Sequence, residues 1–66
     1  MARAPVVVYP PSEGGGRLVR ANGEILGTAY GPSDLLEFLR RTGLDPDEVD
    51  LSGPLIEWRG GGPEVW

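Results

Sequence analysis

The dipeptide Asn22-Gly23 constrains this chain more than any other pair of residues. It stands between two apolar runs in RLVRANGEILGTAY, residues 17–30. A two-residue hairpin loop of type I′ needs positive φ at both central positions, and Asn-Gly meets that need at the least steric cost. A register follows: Ala21 pairs with Glu24, Arg20 with Ile25, Val19 with Leu26 and Leu18 with Gly27. One face of the hairpin then carries Arg17, Val19, Ala21, Leu26, Thr28 and Tyr30. The other carries Leu18, Arg20, Ile25, Gly27 and Ala29. A hairpin with one wet face alternates apolar and polar residues. Neither face here is polar throughout, so both call for cover: a helix on one, and the C-terminal tail or a second copy of the chain on the other.

The flanking segments supply the rest of a small fold. Residues 6–9, VVVY, are β-branched and aromatic and read as a short strand that two prolines stop. That strand is either buried on both faces or sits at a sheet edge beside the prolines. Residues 10–16, PPSEGGG, form a loop. Ser33 is the expected N-cap of a helix whose buried stripe is Leu35, Leu36, Phe38 and Leu39, continued by Leu44. Arg40 and Arg41 complement its C-terminal dipole, and Gly43 provides a left-handed stop. Asp45 caps a second, short helical piece with Pro46 at its first position. LIEWR, residues 55–59, is a last strand with Ile56 and Trp58 on one face and Leu55, Glu57 and Arg59 on the other. The order β-β-β-α-β predicts a single α+β domain over residues 1–66: a small antiparallel or mixed sheet of about four strands packed on one main helix.

Size and composition narrow the function. A 66-residue chain buries only about 60% of the surface its unfolded form exposes, so its core is marginal. Chains this small are commonly held by disulfides, a metal or a partner. Cysteine and histidine are absent, which removes disulfides, the usual zinc ligands and imidazole catalysis. A tight core or oligomerisation remains. The net charge is −4, and all six basic residues are arginine. Duplex binding draws most of its affinity from neutralised phosphates, so nucleic acid and anionic membrane are disfavoured as partners. No apolar run approaches the ~20 residues of a membrane span. The opening MARAPVVVYPP is short and broken by prolines, unlike a signal peptide, and the expected location is cytoplasmic.

Several residue types could in principle carry chemistry. Asp45, Asp47, Glu48 and Asp50 crowd together, but a calcium loop starting at Asp45 would put Val49, Asp50 and Ile56 at its fifth, sixth and twelfth positions. Capping explains Asp45 and Glu48 without a metal. Gly14-Gly15-Gly16 precede a strand, whereas phosphate loops precede a helix. Ser12, Ser33, Ser52, Thr28 and Thr42 have no histidine to activate them. Tyr9, Tyr30 and Trp58 with the arginines could stack bases, but that needs a positive groove in an acidic chain.

The tail WRGGGPEVW, residues 58–66, allows three readings. Trp66 folds back over the glycines and covers apolar sheet. Alternatively, PEVW is a peptide ligand or degradation signal taken up by strand addition. The third reading is a carrier tail. NGEILGTAY followed by SDLLEFLRRTGLDPDEV resembles the opening of the small β-grasp sulfur-carrier proteins, which are similar to ubiquitin and end in Gly-Gly. That resemblance implies removal of Pro63–Trp66 to expose Gly61 or Gly62 for adenylation. The stretch between helix and last strand is shorter than the β-grasp strands need, and the glycines are internal. Over its whole length the chain is also similar to small uncharacterised proteins of actinobacterial type, a likeness that brings no activity with it. The expectation is a non-catalytic protein-interaction or regulatory module, acting as a homodimer or as a small subunit of a protein partner. It has no catalytic residue, cofactor or metal, and its interface is built on Val19, Leu26, Tyr30, Trp58 and Trp66.

Overall fold

The computed structural model describes residues 6–51 and 53–66; residues 1–5 and Ser52 lie outside the described residues. The elements are β1 (Val6–Pro11), β2 (Arg17–Ala21), β3 (Glu24–Ala29), helix α1 (Pro32–Arg41), one 3₁₀ turn (Pro46–Glu48) and β4 (Ile56–Trp58). The four strands form one mixed sheet in the order β3-β2-β1-β4. β1, β2 and β3 are an antiparallel meander, and β4 lies parallel to β1. A parallel pair needs a long crossover, which α1 and the 3₁₀ turn provide. This is the small α+β fold that the order of elements predicts.

β1 lies inside the sheet. Val6 and Val8 are buried, while Val7 points to the opposite face and is half-buried. Its prolines fall beyond the residues that pair with β4, which are Val6, Val7 and Val8, so the missing N–H of proline costs that ladder nothing.

The Asn22-Gly23 turn has the expected backbone, with φ of 52° and 84°. The register agrees with expectation for Ala21↔Glu24 and Arg20↔Ile25 and then shifts, so that Val19 pairs with Gly27, Leu18 with Thr28 and Arg17 with Ala29. Leu26 is the extra residue of a β-bulge. A one-residue shift exchanges the faces of every later side chain. Ala29 is therefore buried beside Arg17 and Val19, and Thr28 and Tyr30 lie on the other face, the reverse of the expected arrangement. The reason lies at Gly27. Its φ is 145°, and a Cβ there would stand 3.0 Å from the Phe38 ring, so the helix packs onto bare backbone at this point.

The helix also begins earlier than expected. Its N-cap is Gly31, with Pro32 in the first turn, and Ser33 lies inside the helix. Pro32 has its φ already set for that position and no N–H to leave unpaired. Asp34 reaches back to accept the Tyr30 N–H at 3.0 Å, which closes the turn into the helix. Asp45 caps as expected, taking the Asp47 N–H at 3.0 Å.

The core is Val6, Val8, Val19, Ala21, Ala29, Leu35, Leu39 and Ile56, with Phe38, Leu44, Trp58 and Trp66 among the partly buried residues packed on it. All of it lies on one side of the sheet. The tail docks on that side too, next to the helix. The expectation that the tail could cover the face opposite the helix is corrected: among the described residues, none packs over that face.

Candidate functional site

Two arrangements stand out, one on each face of the sheet. The first is built around Arg17, whose side chain is 0% exposed. A guanidinium has five N–H groups in a planar fork. Here Nε donates to the Tyr9 carbonyl at 2.8 Å. Nη1 donates to the carbonyls of Gly62 and Val65, both at 2.8 Å. Nη2 donates to those of Arg59 at 2.8 Å and Gly61 at 2.9 Å. Four of the five acceptors belong to the tail. The tail wraps the cation because Gly60 and Gly61, with φ of 77° and 124°, turn the chain sharply. A Cβ on Gly60 would meet Pro10 at 2.7 Å.

Two aromatic faces complete the enclosure. The guanidinium carbon lies 5.2 Å from the Trp58 ring centre and 5.7 Å from that of Trp66. The rings meet edge to face, with centres 5.8 Å apart. Trp58 Nε1 donates to Leu51 O and Trp66 Nε1 to Pro63 O, each at 2.7 Å, so neither indole buries an unpaired N–H. The Gly16 N–H donates to the main-chain oxygen of Trp66 at 2.8 Å. Desolvation pushes the Arg17 pKa down, and the charge of Glu64 opposes that shift. Carbonyl dipoles and ring faces take the place of a bonded carboxylate around this cation.

The second arrangement is the open sheet face. The register places Glu57, Val7, Arg20 and Ile25 in one row across β4, β1, β2 and β3. Beside that row on the same face come Arg59, just past the end of β4, Tyr9, Leu18 and Thr28; Thr28 stands three positions after Ile25 because of the bulge at Leu26. Arg59 lies over the Tyr9 ring at 5.3 Å and is bonded to Glu57. Arg20 Nη1 donates to the Tyr9 hydroxyl at 3.3 Å. The Tyr30 ring lies alongside Thr28 and Gly16, close enough that a Cβ on Gly16 would meet it at 2.7 Å. Ile25 is 59% exposed and Tyr30 67% exposed. This face therefore carries two of the three exposed large apolar side chains among the described residues.

The expected interface residues divide between these places. Trp58 and Trp66 come together, but around Arg17 and half-buried. Val19 has no exposed surface and is removed from the interface set: the inward row of the sheet places it in the core. Leu26, the bulge residue, is half-buried against the core. Tyr30 alone of the five is well exposed. Tyr9 and Tyr30 lie on the open face and Trp58 on the other, so the three do not make one stacking platform. Gly61 and Gly62 are held through their carbonyls by Arg17. Among the described residues no three His, Cys, Asp or Glu converge as metal ligands. Arg17 itself was not singled out by the sequence reading, although one signal for it existed: it shares an alternating strand face with Val19 and Ala21.

No helix among the described residues is long and apolar enough to cross a membrane. Comparison of the chain with family models, curated proteins and solved structures gives no match.

Proposed function

We propose that this chain is a non-catalytic protein-interaction or regulatory module, acting in the cytoplasm as a homodimer or as a small subunit of a protein partner. Nucleic acid and membrane are not its targets in this reading. One observation carries it: the helix and the tail both occupy the same side of the sheet, and the opposite side presents Ile25 and Tyr30 to solvent. Exposed apolar side chains on an uncovered sheet face offer contact area to a partner. The acidic charge and the absence of histidine and cysteine support the non-catalytic part.

The alternative is the carrier, in which Pro63–Trp66 is removed and Gly61 or Gly62 becomes the reactive end. The tail bound by Arg17, a latch on the inner face of the sheet, argues against it. Removing Pro63–Trp66 would take away the Val65 acceptor and one aromatic wall of the Arg17 site. A folded domain would lose part of its own support on maturation.

Intact mass measured on untagged protein from its native host, under denaturing and native conditions, tests both. A full-length mass that appears as a dimer or with a bound protein supports the module. A mass ending at Gly61 or Gly62 overturns it in favour of the carrier.

A further inference from the structure

We propose that the open sheet face is a self-complementary interface that binds a second copy of this chain, with a two-fold axis running across the strands between the two rows of side chains. The proposal rests on the homodimer reading above and names the surface that reading lacks.

The two rows make the case. A two-fold axis in that position lays each strand over the same strand of the partner, reversed. Glu57 then faces the partner's Arg59, and Arg59 faces the partner's Glu57. Val7 meets the partner's Tyr9, and Ile25 meets the partner's Thr28. Charge meets opposite charge at the β4 edge, Arg20 lies over the partner's Leu18, and Ile25 meets the methyl side of the partner's Thr28 at the β3 edge. The other simple two-fold, along the strands, sets Glu57 against Ile25, Arg59 against Thr28 and Arg20 against Val7, so none of the three charges meets an opposite charge, whereas the first axis pairs two of them. An isologous interface needs one patch that complements itself, and only the first axis makes this one do so.

Size agrees with a sheet-on-sheet pair. Strands about 4.8 Å apart, each rising about 3.4 Å per residue, make this face roughly 20 Å on a side. Stacking two such faces buries on the order of 800 Å² in total, below the standard size of stable interfaces and in the range of weak contacts. Two sheets stacked this way sit about 10 Å apart with strands crossed by about 30°. An interface this small yields a weak dimer, whose register depends on the charge pairs. The Glu57–Arg59 pair within each chain is exposed, so opening it toward a partner costs little.

The test uses two full-length variants, Glu57→Arg and Arg59→Glu, alone and mixed, by sedimentation velocity and native mass spectrometry. Both positions lie outside the core, and each variant is first checked for an unchanged melting temperature. The wild-type chain is expected to dimerise in the range of tens to hundreds of micromolar (a weak complex on the affinity scale). Each variant alone is expected to associate at least tenfold more weakly, because like charges then face each other. The mixture is expected to form a one-to-one heterodimer, because one chain then offers two arginines to two glutamates. That last readout separates contact between copies from the Glu57–Arg59 pair within each. A wild-type dimer whose variants dimerise unchanged, or whose mixture shows no heterodimer preference, overturns this face and leaves the homodimer standing. A wild-type chain still monomeric near 1 mM, far above that range, overturns the homodimer with it.

Discussion

Arg17 and Arg59 are the same residue type in opposite circumstances, and they are joined: the carbonyl of Arg59 accepts a hydrogen bond from Arg17 while its own side chain lies on the far side of the sheet. Arg17 is sealed from water and bonded to five backbone oxygens. Arg59 is half-exposed, over one ring and beside one carboxylate. In water an ion pair is screened and contributes little. Sealed from water, a cation binds its acceptors strongly, and leaving either side unpaired costs much more. So the inner face of the sheet determines whether the tail folds, while the outer face holds only solvent-screened contacts. The tail-binding contacts and the exposed Ile25 and Tyr30 lie on opposite sides of four strands.

The largest expected effect breaks the inner side. Arg17→Met leaves the buried tail carbonyls without their donor, and unfolding by denaturant should show a loss of about 2–4 kcal/mol. A chain of this length has a total stability of only roughly 3–10 kcal/mol, so the tail and much of the fold should be lost. Arg17→Lys should recover little, since an ammonium has three donors and no planar fork. A loss below about 1 kcal/mol for either variant would mean that the latch holds nothing.

Trp66→Ala comes next. It removes one wall of the cation site and an edge-to-face partner of Trp58, and the expected cost is about 2–3 kcal/mol, less than for a fully buried Trp. The remaining Trp58 emission should move to the red as its surroundings become wet. An unchanged emission maximum would show that the tail does not cover Trp58.

Gly27→Ala sharpens the comparison from the sheet itself. The substitution places a Cβ against Phe38 at a φ of 145°, and about 1–3 kcal/mol should be lost in thermal melts. On the open face, Ile25→Ser should change monomer stability by less than about 0.5 kcal/mol. It should still weaken self-association several-fold by sedimentation. If the melt falls as far as for Gly27→Ala, the open face belongs to the core and the contrast fails.

The smallest effect is at the helix surface. Hydrogen bonding to Arg40, with added help from Arg41, holds the Glu37 carboxyl below the usual carboxylate range. A carboxyl lowered in the folded state contributes stability above its unfolded pKa and loses it as pH falls through the folded value. Glu37→Gln should therefore lower the melting temperature slightly at pH 7, match the wild type below about pH 3, and so flatten part of the decline between about pH 5 and pH 3.

Much of this architecture was legible along the chain. The Asn22-Gly23 turn, Leu35, Phe38 and Leu39 of the α1 stripe (though not Leu36, which stays outside the core cluster), the cap at Asp45 and the shared face of Ile56 and Trp58 are all local matters. Each depends on φ preferences or periodicity within a few residues, so neighbours alone encode it. The bulge at Leu26 was not legible, because it answers to Phe38 packing over Gly27 across the space between helix and strand. The same holds for Ser33, displaced as cap once Pro32 could enter the first turn and Asp34 could take the Tyr30 N–H.

Sequence alone determined the order of elements, the hairpin turn, the marginal size of the core and the lack of histidine and cysteine chemistry. Tertiary structure alone decided which face the tail covers and what Arg17 is for. The physical reason is separation along the chain. Arg17 and Gly62 are 45 positions apart, and no local preference of either predicts that the one will donate to the other. Only when strand alternation turned the guanidinium inward, away from water, did its five donors need acceptors, and the glycine tail was the one segment able to bend its carbonyls around them.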